Sequence, residues 1–148
     1  RLYKVTGDEK YLEACRETFP SFLRPRGVQA PFTVELDPLG YCWIEEYPRS
    51  VPNQVLNGFI YSLYGVYEYY MLTKDPTVLK VTQAALTTLR EYAADFRVPG
   101  EISYYCLSHR SQIASYHTRH IKLVGDLYRM TWDSYFKYLS NALKRDHA

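Results

Sequence analysis

One seven-residue pattern occurs three times along this chain. Leu2-Tyr3-Lys4-Val5-Thr6-Gly7-Asp8 is matched by Leu127-Tyr128-Arg129-Met130-Thr131-Trp132-Asp133, and more loosely by Tyr69-Tyr70-Met71-Leu72-Thr73-Lys74-Asp75. In each copy an aromatic-rich helical stretch ends, Thr-x-Asp turns the chain, and Asp is placed to cap a following helix. A carboxylate suits that position because the first turn of a helix leaves its backbone N–H groups unbonded. The copies stand 67 and 58 residues apart, too far for a tetratricopeptide-type solenoid. The spacing instead predicts helical hairpins joined by long loops, with those loops converging on a cleft at the seam between hairpins.

Other local signals fill in the elements. Asp8 and Glu9 open a helix carrying Tyr11, Leu12, Cys15, Phe19 and Leu23, which Pro20 kinks or ends near Phe19. Arg24-Pro25-Arg26-Gly27 marks a turn. Val28 to Glu46 reads as loop with short strand pieces, broken by Pro31, Pro38 and Gly40 and including Tyr41 to Ile44. A helix follows over Asn57 to Leu72, with Leu56, Ile60, Leu63, Tyr64 and Tyr67 along one face. Asp75-Pro76 starts another, running to about Phe96 and stopped by Val98-Pro99-Gly100. Ile102 to Leu107 has strand character, as half of a hairpin. Helices close the chain over Ser115 to Tyr128 and Asp133 to about Lys144. The expected class is mainly α: hairpins of an incomplete α/α toroid with a short β-hairpin or strand insertion, forming one unit over residues 1–148.

Composition narrows the function. An apolar content of 47% excludes global disorder, and no apolar run reaches the length of a membrane span. Eighteen basic against 16 acidic side chains give no argument for nucleic acid. Cys15, Cys42 and Cys106 have no zinc spacing and read as buried or partly buried free thiols. No GxGxxG, P-loop or GxSxG motif is present, so no nucleotide cofactor or serine nucleophile is implied.

Four segments are too polar for simple core packing. They are Glu45-Glu46-Tyr47-Pro48, Asn57-Gly58, Tyr104 to Arg110, and Tyr116-His117-x-x-His120. Each alone has an ordinary structural explanation, and His117 with His120 lacks the further ligands a metal needs. Gly58 would let a neighbour or ligand approach closely. Together the segments supply a carboxylate, several phenols, an imidazole pair and arginines, all from loops or element ends. That set suits carbohydrate chemistry, in which aromatic and hydrogen-bonding groups hold sugars, cations hold uronate carboxylates, and Glu or Tyr moves protons.

These segments resemble the C-terminal domain of the D-glucuronyl C5-epimerases. Trp43-Ile44-Glu45-Glu46-Tyr47-Pro48 with Val55-Leu56-Asn57-Gly58-Phe59-Ile60-Tyr61-Ser62-Leu63-Tyr64-Gly65 resembles that family's EEYP and VLNGF block. Tyr105-Cys106-Leu107-Ser108-His109 resembles its YDLRH segment, and Tyr116-His117-Thr118-Arg119-His120-Ile121 its YHTTHI segment. The resemblance covers about Leu36 to Ala148. It implies a longer protein with an N-terminal β-rich part, catalytic roles for Glu46, Tyr47, Tyr105 and Tyr116, and substrate binding by Asn57, His109, Arg110, His117, Arg119 and His120. Ser108 stands where the family has Arg, so Arg110 or Arg119 would hold the uronate carboxylate. The implied partners are an acidic, glucuronate-containing polysaccharide and, in the full-length protein, a second copy of the chain. No metal or other cofactor is implied. The compartment stays open, the Golgi lumen for an animal-type member and the cytoplasm or periplasm for a bacterial one.

The implied reaction converts D-glucuronic to L-iduronic acid in a heparan sulfate or heparosan type polymer. A proton leaves C5 on one face of the ring and another arrives on the opposite face, with Glu46 and Tyr116 as the two acid/base groups. Tyr47 and Tyr105 would stabilise the intermediate or relay protons. A phenol with pKa near 10 serves easily as acid at neutral pH and poorly as base, so a carboxylate is the more natural base. Two other readings share these residues: a uronate lyase, which abstracts the same proton and then expels the C4 substituent, and a polysaccharide-binding helical domain without catalysis.

Overall fold

The computed structural model of the chain describes residues 1–27 and 33–147. The strand pieces expected within Val28–Phe32 lie outside the described residues. The described elements are α1 (Leu2–Thr6), α2 (Lys10–Thr18), β1 (Val34–Leu36), β2 (Cys42–Ile44), α3 (Leu56–Thr73), α4 (Pro76–Tyr92), α5 (Ala114–Thr131) and α6 (Ser134–Asp146). Short 3-10 turns follow α2 at Phe19–Leu23 and α4 at Ala93–Phe96. Pro20 sits in the first of these, where its missing N–H ends α2 as its position dictates. The molecule is thus mainly α with one short β-hairpin.

The three copies of the repeat fold alike, atom for atom. Thr6, Thr73 and Thr131 each donate a hydroxyl hydrogen bond to the carbonyl four residues back, at 2.8, 3.0 and 2.8 Å. Each hydroxyl oxygen also accepts from the backbone N–H of the Asp two residues on, at 3.2, 3.3 and 3.2 Å. The residue between is left-handed in every copy: Gly7 (φ 70°), Lys74 (φ 55°) and Trp132 (φ 59°). Its N–H bonds the carbonyl of Tyr3, Tyr70 or Tyr128. The Asp carboxylates then accept from Lys10, Thr77 and Tyr135 N–H, at 3.1, 2.6 and 2.9 Å. One local rule therefore closes α1, α3 and α5 and opens α2, α4 and α6.

Two antiparallel hairpins, α3 with α4 and α5 with α6, pack side by side through α3 and α5. Phe59, Ile60 and Leu63 of α3, Val78 and Ala85 of α4, Val124 and Leu127 of α5, and Phe136 of α6 fill the space between them. Tyr64, Tyr70 and Tyr128 pack against this core from its edge, and the Tyr64 hydroxyl donates to Leu123 O across the α3–α5 seam, at 3.2 Å. The β-hairpin, in antiparallel register Val34↔Ile44 and Leu36↔Cys42, docks through Trp43. Its ring lies 5.5 Å from Phe59 and 4.9 Å from Tyr92, and its indole N–H donates to Asp37 in the hairpin turn.

Two expectations need correction. Ile102–Leu107 forms no strand: the segment makes only the single-residue bridges Val55↔Cys106 and Tyr104↔Gln112. Its backbone groups bond outward in different directions, Tyr104 N–H to Phe96 O, Tyr105 N–H to Ser111 O and Leu107 N–H to Gln54 O, so no ladder can propagate. Cys42 and Cys106 are partly or fully buried, but Cys15 is exposed, at the rim of an open depression between α2 and α3.

Candidate functional site

Helices α3 and α5 begin at the same end of the molecule. Leu56, the first residue of α3, donates its N–H to Tyr105 O at 3.3 Å. The Tyr105 ring meets that of Tyr116, in the first turn of α5, with centroids 4.7 Å apart and planes at 61°. Unlike α4 and α6, neither helix has a side-chain cap, since Val55 and Ile113 stand at the cap positions. Their β-branched side chains carry no acceptor, so the positive ends of both helix dipoles face this cluster uncapped by any side chain.

The Glu45-Glu46 pair divides its roles. Glu45 directly follows β2 and is turned inward, 7% exposed. Its carboxylate accepts from the N–H groups of Asn53 (3.0 Å) and Gln54 (3.2 Å), clamping the loop before α3. Burial pushes the Glu45 carboxyl above its usual pKa, and those backbone bonds oppose the shift. Glu46 faces out and lies against Gly58 in the first turn of α3. A Cβ at Gly58 would stand 2.5 Å from Glu46 Cβ and 2.8 Å from its Cδ, so the glycine makes room for the glutamate.

Tyr105 is the half-buried centre of the group. Burial raises its phenol well above its ordinary pKa, helped by a hydrogen bond with Tyr47 and by the neighbouring charge of Glu46. It is therefore a firmly protonated donor at neutral pH. The Arg119 guanidinium lies 4.9 Å from the centre of the Tyr116 ring and is exposed. Glu46, Tyr47, Tyr105, Tyr116 and Arg119 thus come together from a loop, a second loop and one helix end. Asn57 adjoins them in the first turn of α3, 5% exposed, its Oδ1 buried without a hydrogen-bond partner among the described residues.

The remaining sequence candidates lie elsewhere. His117 is turned into the interior: Nδ1 accepts from Ser103 N–H at 2.9 Å, and Nε2 donates to Leu143 O at 3.0 Å. No ring nitrogen is left for a ligand, which corrects its expected substrate contact. His120 is fully buried, with Nδ1 bonded to Ser103 Oγ at 2.8 Å and its ring centre 6.4 Å from that of Tyr116. Burial pulls its pKa down to about 4, so it is neutral at pH 7. Both rings point inward because α5 buries the face that also carries Leu123, Val124 and Leu127. Arg110, left-handed at φ 49°, lines a separate depression of about 390 Å³ with Asp95, Tyr104 and Leu107. His109 is exposed, with Nδ1 3.5 Å from Cys106 Sγ. Of the two arginines offered as replacements for the one lost at Ser108, Arg119 is the one beside the tyrosines. Sequence reasoning missed Ser103 as the group that engages both histidines; its position two residues before Tyr105 was the available signal.

The chain is mainly α, built of helical hairpins, with a carboxylate, phenols and an arginine gathered at the starts of its inner helices. The family model for the D-glucuronyl C5-epimerase C-terminus matches residues 1–145, and the chain belongs to that family. It is 37% identical over 75 residues to the D-glucuronyl C5-epimerase of Caenorhabditis elegans, covering 49% of this chain and 11% of that protein. It is 27% identical over 139 residues to protein MJ1128 of Methanocaldococcus jannaschii, covering 92% of this chain and 44% of the other. The chain spans less than half the length of either relative.

Proposed function

We propose that this chain carries the proton-transfer site of a uronate C5-epimerase, acting on D-glucuronic acid in a heparosan or heparan sulfate type polymer and set within an α/α toroid. The observation that carries the reading is the convergence of Glu46, Tyr47, Tyr105, Tyr116 and Arg119 at the uncapped starts of α3 and α5, in a chain of the epimerase family. Glu46 takes the C5 proton of glucuronate on one face. The electron pair left behind delocalises onto the carboxylate, whose growing charge Arg119, the Tyr105 phenol and the two helix dipoles stabilise. Tyr116 returns a proton to C5 on the other face, giving iduronate, and solvent restores both groups. A two-sided transfer needs one base and one acid, which a carboxylate and a phenol supply.

The test is hydron exchange with the whole native protein, heparosan and deuterated water. Deuterium should enter at C5 and iduronate should form. Tyr116→Phe should abolish exchange or confine it to one face, and Glu46→Gln should do the same for the opposite face. Wild-type-like exchange in a folded Tyr116→Phe protein sinks the assignment. An unsaturated uronate absorbing in the ultraviolet identifies a lyase instead, and polymer binding with no exchange identifies a non-catalytic domain.

A further inference from the structure

Ser103 is 1% exposed and sits at the junction of three parts of the chain. Its N–H donates to His117 Nδ1 at 2.9 Å, and its Oγ lies 3.0 Å from that same nitrogen and 2.8 Å from His120 Nδ1. His117 Nε2 in turn faces the carbonyls of Leu143 (3.0 Å) and His147 (3.2 Å) at the end of α6. These partners fix the tautomers. His117 must carry its proton on Nε2, because only carbonyls face that atom and an N–H faces the other. His120 Nε2 is buried with no partner among the described residues. An orphaned acceptor costs less than an orphaned N–H donor, so the proton of His120 belongs on Nδ1, donated to Ser103 Oγ. The Ser103 hydroxyl proton then faces His117 Nδ1, where it shares that nitrogen's one lone pair with the Ser103 N–H.

The unit lies where the site needs rigidity. Tyr105 is two residues beyond Ser103, and Tyr116 is one residue before His117 and four before His120. The first turn of α5, which holds Tyr116, has no side-chain cap. The backbone bonds of Tyr105 tie it to Ser111 and to Leu56, towards α3 and towards its own loop. Among the described residues, Ser103 makes the side-chain tie from this loop into the body of α5. We propose that Ser103 is a positioning residue which, by bonding His117 and His120, holds the Tyr105 loop against the start of α5 and sets the Tyr105–Tyr116 pair. It touches no substrate; it acts through the two tyrosines. This rests on the reading of those tyrosines as the proton-transfer site.

The test uses the whole native protein with labelled histidine and tyrosine. Nitrogen NMR should report His117 as the Nε2–H tautomer and His120 as Nδ1–H, and ring-proton cross-peaks should link Tyr105 and Tyr116. In a folded Ser103→Ala protein those cross-peaks should weaken. Its kcat for C5 exchange should fall by about tenfold or more with KM within about twofold, as misplaced reacting groups require, and Ser103→Thr, which keeps the hydroxyl, should recover most of the loss. Unchanged Tyr105–Tyr116 cross-peaks or unchanged kcat in Ser103→Ala, or the opposite tautomers, overturn the proposal. Should the wild-type protein exchange nothing at C5, the epimerase reading fails, while the tautomers and cross-peaks still decide the role of Ser103.

Discussion

A missing side chain determines where the exposed glutamate can lie. Gly58 faces Glu46 so closely that a methyl group would occupy the glutamate's place. Gly58→Ala brings two opposed effects, a gain of about 1 kcal/mol in helix propensity and a collision 2.5 Å from Glu46 Cβ that no side-chain rotation relieves, so the backbone at Glu46 must shift. The expected outcome is a net loss of about 1–2 kcal/mol by urea denaturation, with C5 exchange of the folded protein reduced more than tenfold; equal exchange would mean that the position of Glu46 is immaterial. His120 makes a second residue-scale prediction. Its folded pKa of about 4 lies below the unfolded value of 6.5 because burial, and then the neighbouring His117, disfavour the charge. The unfolded chain therefore binds the proton more readily. This contribution to stability is complete above about pH 6.5 and is lost as pH falls towards 4, with a ceiling of roughly 3 kcal/mol. Urea denaturation from pH 8 to 4 should show a steeper acid loss in the wild-type protein than in His120→Asn, whose side chain does not titrate.

The Thr-x-Asp turns were legible because every bond in them spans four residues or fewer. The same three side chains meet the same backbone atoms whatever packs around them, and the sequence pattern alone foretold three helix ends and three helix starts. The turn also yields a stability prediction. Lys74 is left-handed where the first copy uses glycine, so Lys74→Gly should stabilise the chain by about 0.5–1 kcal/mol by removing the Cβ strain. Asp75→Ala should destabilise it by about 1 kcal/mol by orphaning the Thr77 N–H. Thermal denaturation of the two variants should move in opposite directions. Ile102–Leu107 shows the limit of such local reading. Its β-branched and aromatic residues fit a strand, but a strand exists only if a neighbour offers a ladder, and here Phe96, Gln54 and Ser111 each take one bond in a different direction.

At the scale of the molecule, the hairpin that delivers Glu46 docks through Trp43 and Ile44, with Thr88 and Tyr92 of α4 bonding Cys42 O and Asp37. Trp43 is 1% exposed, between Phe59 of α3 and Tyr92 of α4, and β2 ends two residues before Glu46. Trp43→Ala should cost about 3–5 kcal/mol in urea denaturation. In the protein that remains folded, C5 exchange should fall as well, since the loop carrying Glu46 and Tyr47 loses part of its anchor. By itself the sequence determined what depends on neighbours along the chain: the helix ends, their Asp caps, the mainly α class, and the motifs that resemble the epimerase family. Only the tertiary structure decided which polar side chains of those motifs gather at the starts of α3 and α5. Glu45 and Glu46 are adjacent and both acidic, yet one clamps Asn53 and Gln54 and the other lies on Gly58. His117 and His120 share a motif with Tyr116, yet both turn inward onto Ser103. Arg110 and Arg119 were equal candidates until their surroundings were known. The physical reason is the same in each case. A polar group may be buried or exposed according to whether distant parts of the chain bring it hydrogen-bond partners, and those partners are set by packing rather than by spacing.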